Sequence, residues 1–272
     1  MKLMSRRLIL ATISALPFLS LLSAAHADVE EIKKKNTLVV GVKDSLYPFG
    51  YVNEKSRTLE GYDIDFAKEV ANKLGVKIEL KPVTSANRIP LLTEENVDLL
   101  ACTMTITEER AKQINFSYPY FVSKQKFITK KGTVKSLADL EGKKIGTTKG
   151  STSELNVAKA IPSAKVLSFD DYPQAFLALQ QGKVFAITTD ESILAGILSK
   201  ATKKQDFEIP AFDISKEPYG IGVNKKNPEL LKIVNSTLIE MENNKKAEQI
   251  FSKWFGPKSS VPLKKDFKIS AN

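Results

Sequence analysis

The sequence predicts an α/β protein of two lobes, and three observations carry that prediction. Apolar β-branched runs alternate with amphipathic helical patterns along most of the 272 residues, the signal of mostly parallel sheets flanked by helices. The rhythm breaks at two short extended stretches, around 117–125 and 212–219, and resumes between them. No low-complexity linker divides the chain, so both breaks read as crossovers between lobes. Residues 28–119 and 219–272 then form one lobe and 125–213 the other, with hinges near 117–125 and 212–219. Two strands joining two α/β lobes make a hinge with a ligand cleft between them.

The first element is not part of either lobe. Lys2, Arg6 and Arg7 precede an apolar stretch from Leu8 to Leu22, and Ala25-His26-Ala27 precedes an acidic start. That order is a secretory signal peptide with cleavage expected after Ala27, which places the protein in the periplasm. The apolar stretch, interrupted by Ser14, Pro17 and Ser20, is too short to span a membrane. Ser5-Arg6-Arg7 reads either as twin-arginine export or as the ordinary basic start of a signal.

Removing residues 1–27 leaves 38 basic against 31 acidic residues, a formal charge of +7. The basic residues come as scattered pairs, such as Lys130-Lys131 and Lys225-Lys226, without alternating aromatics. That is a solvated surface and not a nucleic-acid platform. Cys102 is the single cysteine, so there is no internal disulfide and no lipid attachment near the cleavage site. His26 is the single histidine and leaves with the signal. Ser-His-Asp and Cys-His catalysis are thereby excluded, and neither a metal nor a cofactor is expected.

Along the mature chain, "TLVVGV" (37–42) is a buried strand. "GYDIDFAKEVANKLG" (61–75) is an amphipathic helix with Ile64, Ala67, Ala71 and Leu74 on one face and Gly75 as its stop. "VKIELKPV" alternates as a strand. The run "VTSANRIPLL" (83–92) starts a short helix, with Thr84 or Ser85 as N-cap and Pro90 in the first turn. Within it Arg88 reads equally as a solvated helix-start arginine or as a binding group. "VDLLACTMTI" (97–106) is the next strand and "TEERAKQI" a helical turn. In the second block "KKIGTT", "AKVLSF" and "VFAITT" are strands, separated by the helices "GSTSELNVAKAI" and "DYPQAFLALQQG" and followed by "DESILAGILSK". "PYGIGVN" is a late strand, and "PELLKIVNSTLIEMENN" and "KAEQIFSKWFG" are closing helices. Trp254 and the many phenylalanines read as core.

"GYDIDFAKEVANKLG", "VDLLACTMTITEERAKQINFSYPYF" and the ending "KWFG" resemble the polar amino-acid family of periplasmic binding proteins of ABC transporters, over roughly residues 35–257. The resemblance implies a type II periplasmic binding protein fold. It is nearest to glutamate/aspartate-binding members, through the Thr-Ser-x-x-Arg-x-Pro-Leu-Leu run around Arg88, the Gly-Ser-Thr-Ser-Glu turn at 150–154 and Asp190-x-x-x-Leu-Ala-Gly. By that resemblance Arg110 clamps the ligand α-carboxylate through its planar fork. Thr103 and Thr105 contact the same head group, and Thr148 and Thr152 supply the second lobe's share. Asp190 receives the α-ammonium. A surface arginine for Arg110, and plain helix N-caps for Thr148, Thr152 and Asp190, are the readings the residues alone also allow.

Arg110 and Asp190 satisfy an α-amino-acid head group, which leaves Lys43 and Arg88 as surplus cations at the cleft. A second carboxylate on the ligand would offset the cost of burying them. Arg88 is therefore expected to hold the side-chain carboxylate of L-glutamate or L-aspartate, with Ser85 beside it and Lys43 as second cation. Lys43 stands where some dicarboxylate-binding relatives have arginine. Tyr172 stands where some have histidine; its phenol could donate there or simply pack. The expected function is a monomeric receptor that delivers an acidic amino acid to an inner-membrane ABC permease. The alternatives are a binding protein for another polar amino acid, a dehydratase-like exported enzyme on the same fold, or an added adhesin or sensing role.

Overall fold

The computed structural model describes residues 24–271. The signal peptide therefore lies almost wholly outside the described residues. Its expected cleavage point after Ala27 falls in the first described helix, α1 (Ala24–Lys35).

The chain runs through β1 (Thr37–Val42), the short strands β2 (Ser45–Leu46), β3 (Gly50–Val52) and β4 (Leu59–Glu60), and α2 (Tyr62–Leu74). Then come β5 (Lys77–Pro82), α3 (Arg88–Thr93), β6 (Leu99–Ala101), α4 (Glu108–Ala111) and β7 (Asn115–Phe116). The long β8 (Phe121–Lys130) leads to β9 (Lys144–Thr148), α5 (Thr152–Ala160), β10 (Lys165–Phe169), α6 (Tyr172–Gln180), β11 (Ala186–Asp190) and α7 (Glu191–Lys200). The chain closes with β12 (Phe207–Glu208), β13 (Ser215–Tyr219), β14 (Gly222–Val223), α8 (Pro228–Asn243) and α9 (Lys246–Phe255).

Two main sheets result. The first has the order β5-β1-β6-β14-β7, with β5-β1-β6 parallel and β14 antiparallel to both its neighbours. The second has the order β10-β9-β11-β8-β12, with β13 added to β8. Its β10-β9-β11 core is parallel, and β8 runs antiparallel to β11. The parallel cores are the β-α-β units that the alternating pattern predicts; among the antiparallel strands, β8 and β13 are the segments that pass between the sheets. These two passages pair with each other, Phe121 opposite Tyr219 through Gln125 opposite Ser215.

The helix α2 follows its sequence pattern closely. Ile64, Ala67, Ala71 and Leu74 are buried, and Gly75 ends the helix at φ 72°, the left-handed conformation that suits glycine. The aromatic residues cluster in the core beside the crossing strands, where Phe49 packs edge to face on Tyr62, Phe121 and Tyr219, Phe121 is tilted against Phe255, and Phe121 stacks on Tyr219. Trp254 joins that core and donates Nε1–H to Asp65 Oδ2 at 2.8 Å.

Two expectations differ from the structure. The strand expected over 97–106 ends at Ala101, because Thr103 turns to φ 50°, a conformation that cannot continue a strand. Asn87, and not Thr84 or Ser85, occupies the N-cap position of α3, and it makes no side-chain capping hydrogen bond. Thr84 and Asn87 bond each other, side chain to backbone in both directions, and Ser85 is engaged elsewhere.

Candidate ligand-binding cleft

The residues expected at the site converge from both sheets. Arg88 is 3 % exposed, so it is not the solvated helix-start arginine. Its Nη1 donates to the Cys102 carbonyl at 3.0 Å, while its Nε is buried with no hydrogen-bond partner among the described residues. The bond fixes the guanidinium against the turn after β6, where Thr103 sits. Nearby, Lys43 leaves the end of β1 and donates Nζ–H to Ser85 Oγ at 3.0 Å, both side chains buried. Burial, and then the adjacent Arg88 charge, lowers the Lys43 pKa to about 7.

Thr103 is held by a residue to which sequence reasoning assigned no role. Asp63, fully buried at the start of α2, accepts the Thr103 backbone N–H at 2.7 Å and the Tyr120 hydroxyl at 2.7 Å. A β-branched residue at positive φ is strained and persists where its surroundings over-determine it. The Asp63 bond is such a restraint, and it gives the first of the two acidic residues of the Gly-Tyr-Asp-Ile-Asp signature a physical task. Burial raises the Asp63 pKa to about 7, against the lowering effect of its two donors.

The Arg110 end joins the two sheets. Thr107 caps the single turn of α4 and accepts from the Arg110 backbone N–H, so the side chain turns inward. Its Nη1 donates to Thr105 O at 2.9 Å and its Nη2 to Gly150 O at 3.1 Å, in the loop between β9 and α5. Burial, followed by repulsion from Arg88, lowers the Arg110 pKa to about 9. Thr105 Oγ1 lies 3.4 Å from Thr152 Oγ1, in the first turn of α5. Thr148, at the end of β9, is buried with Oγ1 unpartnered among the described residues.

Asp190 closes the other side. It occupies the N-cap position of α7 by its backbone angles but makes no capping hydrogen bond. Instead its Oδ2 accepts from the Tyr219 hydroxyl of the crossing strand β13, and Oδ1 has no partner among the described residues. Burial, and then repulsion from Glu217, raises the Asp190 pKa to about 7. Tyr172, at the start of α6, is buried next to Asp190; burial and that carboxylate raise its pKa. Its ring packs in the core cluster that also holds Tyr219 and Ile193.

The walls approach closely at two glycines. A Cβ on Gly150 would lie 2.9 Å from Ser85 O, and one on Gly196 would lie 1.9 Å from Tyr47 O. Ser85 and Tyr47 belong to the first sheet's side, Gly150 and Gly196 to the second's. Gly196 is the glycine of the Asp190-x-x-x-Leu-Ala-Gly run.

Residues 38–257 match the bacterial extracellular solute-binding proteins, family 3. The chain belongs to this family. Among curated members, it is 40 % identical to the ABC transporter glutamine-binding protein GlnH of Bacillus subtilis over 82 % of each chain. It is 34 % identical to the glutamate/aspartate import solute-binding protein of Salmonella typhimurium, over 89 % of this chain and 83 % of that one. Among solved structures, an ancestral arginine-binding protein bound to arginine superposes with a TM-score of 0.77 at 43 % identity, covering 81 % of this chain and 99 % of that one. The same ancestral protein is also known bound to glutamine.

Proposed function

We propose that the chain is the exported receptor of an ABC importer, that it binds an amino acid, and that an acidic L-amino acid, glutamate or aspartate, is its preferred ligand. The single observation that carries the acidic reading is the set of three buried cations, Lys43, Arg88 and Arg110, facing one cleft carboxylate, Asp190. The other two buried carboxylates nearby, Asp63 and Glu217, also act by charge on these cations, but they stand behind Thr103 and Thr152 with their oxygens already bonded, so neither presents a free acceptor to a ligand as Asp190 Oδ1 does. Arg110 and the first N–H groups of α5 take the α-carboxylate, in keeping with anion binding at helix starts. Asp190 Oδ1 takes the α-ammonium. Arg88 and Lys43 take the second carboxylate, whose charge offsets the cost of burying them. Residues 28–119 with 219–272, and 125–213, close on the ligand about the paired crossings, and the closed form docks on the permease. The signal peptide is removed after Ala27, and the protein works in the periplasm as a monomeric receptor without a catalytic step.

A second reading, L-glutamine, is favoured by one feature of the site and by one of the named relatives. A Lys43 whose pKa lies near 7 can shed its proton and accept an amide without an uncompensated charge. Glutamine-binding GlnH is 40 % identical. Calorimetry of the mature protein against glutamate, aspartate, glutamine and arginine separates the two readings. A preference for glutamate or aspartate of tenfold or more supports the first. Equal or tighter binding of glutamine replaces it with the second, and tighter binding of arginine rejects both.

A further inference from the structure

Glu217 is buried at 1 % exposure in the crossing strand β13 and none of the proposed ligand contacts uses it. Its surroundings define the direction of a proton chain into the cleft. Glu217 Oε1 accepts from Asn156 Nδ2 at 2.9 Å and from the Ser215 hydroxyl. Its Oε2 accepts from the Thr152 hydroxyl at 2.9 Å. A carboxylate only accepts, and a threonine hydroxyl has one proton. Thr152 spends that proton on Glu217, so in its contact with Thr105 the oxygen of Thr152 is the acceptor and Thr105 is the donor. With both protons directed toward Glu217, neither threonine hydroxyl has a proton left to donate to a ligand, and each oxygen can only accept.

We infer that Glu217 is a positioning residue for the ligand's α-ammonium, acting through Thr152 and Thr105. It polarises their hydroxyls so that the head-group end accepts hydrogen bonds from an ammonium. The α-carboxylate is thereby left to Arg110 and to backbone N–H groups, and the threonine hydroxyls do not donate to it. Asn156 holds the carboxylate in this orientation from α5, since Nδ2 also bonds Gln125 Oε1 at 2.9 Å and Ser215 Oγ at 3.0 Å. The selectivity that follows is for amino acids over the same acids without an amino group. The inference rests on the proposed amino-acid-binding reading.

The test is E217Q, read as the affinity ratio of L-glutamate to glutarate, which lacks the amino group, and of L-glutamine to glutaramate. The amide side chain of this variant keeps an acceptor for Asn156 and turns an N–H donor to Thr152, which reverses the chain and points a hydroxyl proton at the ammonium. The amino-acid affinity is expected to fall about 10- to 100-fold, the scale of a charged hydrogen bond, while the des-amino acid is affected less than about threefold. T152V, which breaks the chain and leaves Asn156 on Glu217, is the second variant and is expected to lower the same ratio. An unchanged ratio in both variants overturns the inference, as does an equal loss for both ligand types, the result of a purely structural buttress. A wild-type protein that binds no amino acid overturns the functional reading itself.

Discussion

The two ends of the cleft are built differently. At the head-group end, contacts run between the sheets: Arg110 reaches the Gly150 carbonyl and Thr105 meets Thr152. Asp190 is anchored by a tyrosine of the crossing strand. At the proposed side-chain end, Lys43 donates to Ser85 and Arg88 to the turn after β6, and among the described residues these side chains bond only within the first sheet's side. The difference separates two tasks. On the proposed reading, what all amino acids share is met by groups that bond across the walls, which would make binding and closure one event. What distinguishes one amino acid from another would be met on a single wall and could change without disturbing closure.

The largest expected effect comes from Arg110→Ala. It removes the head-group clamp and an inter-wall bond together, and should cost every amino-acid ligand about 2–5 kcal/mol, roughly 30-fold to several thousand-fold in affinity. Titration calorimetry against glutamate and glutamine checks it. A loss confined to acidic ligands would erase the distinction between the two ends.

Arg88→Ala should cost a dicarboxylic ligand a similar amount at most, and here the pattern matters more than the size. Glutamate should weaken far more than glutamine, so the gap between them narrows. If that gap persists, Arg88 only braces the Cys102 turn and specificity lies elsewhere.

Gly196→Ala sharpens the comparison from the side of closure. A methyl placed 1.9 Å from Tyr47 O forces the walls apart by an overpacking cost of about 1–3 kcal/mol, felt only in the closed form. All ligands should weaken about 5- to 150-fold by the same factor, and small-angle scattering with saturating ligand should show a more open particle than wild type. A change in the order of ligand preference would contradict the separation of tasks.

The smallest effect is with pH. Lys43 titrates near 7 here, and an anionic ligand raises that value, so glutamate binding takes up a proton above pH 7 and weakens as pH rises. Asp190 also titrates near 7, among Glu217, Arg110, Arg88 and Tyr219, and an ammonium lowers that value, so binding releases a proton below pH 7 and weakens as pH falls. Affinity for glutamate should peak near neutrality and drop several-fold within one pH unit on either side. Glutamine should show the acid limb without the alkaline one. Calorimetry in buffers of different ionisation heat reads both proton counts.

Short-range pattern in the sequence determined most of the elements. The strand at 37–42 and the helix closed by Gly75 follow from periodicity and caps, which involve residues a few positions apart. The residues of the site were legible through their motifs: the resemblance to the family pointed to Lys43, Arg110 and Asp190, and the charge left over beside Arg88 pointed to charge recognition in a chain whose one histidine, His26, lies in the expected signal peptide. Tertiary structure alone decided how those residues act. Arg88 is buried against the turn after β6, where it donates a hydrogen bond to a carbonyl 14 residues away. Thr103 is twisted because Asp63, 40 residues earlier, holds its amide. Glu217 matters because the fold brings it to Thr152 across 65 residues. Periodicity reports which face of an element meets the core, but a hydrogen bond between distant segments leaves no periodic trace, and its geometry exists only once both sheets have formed and their crossing strands have paired.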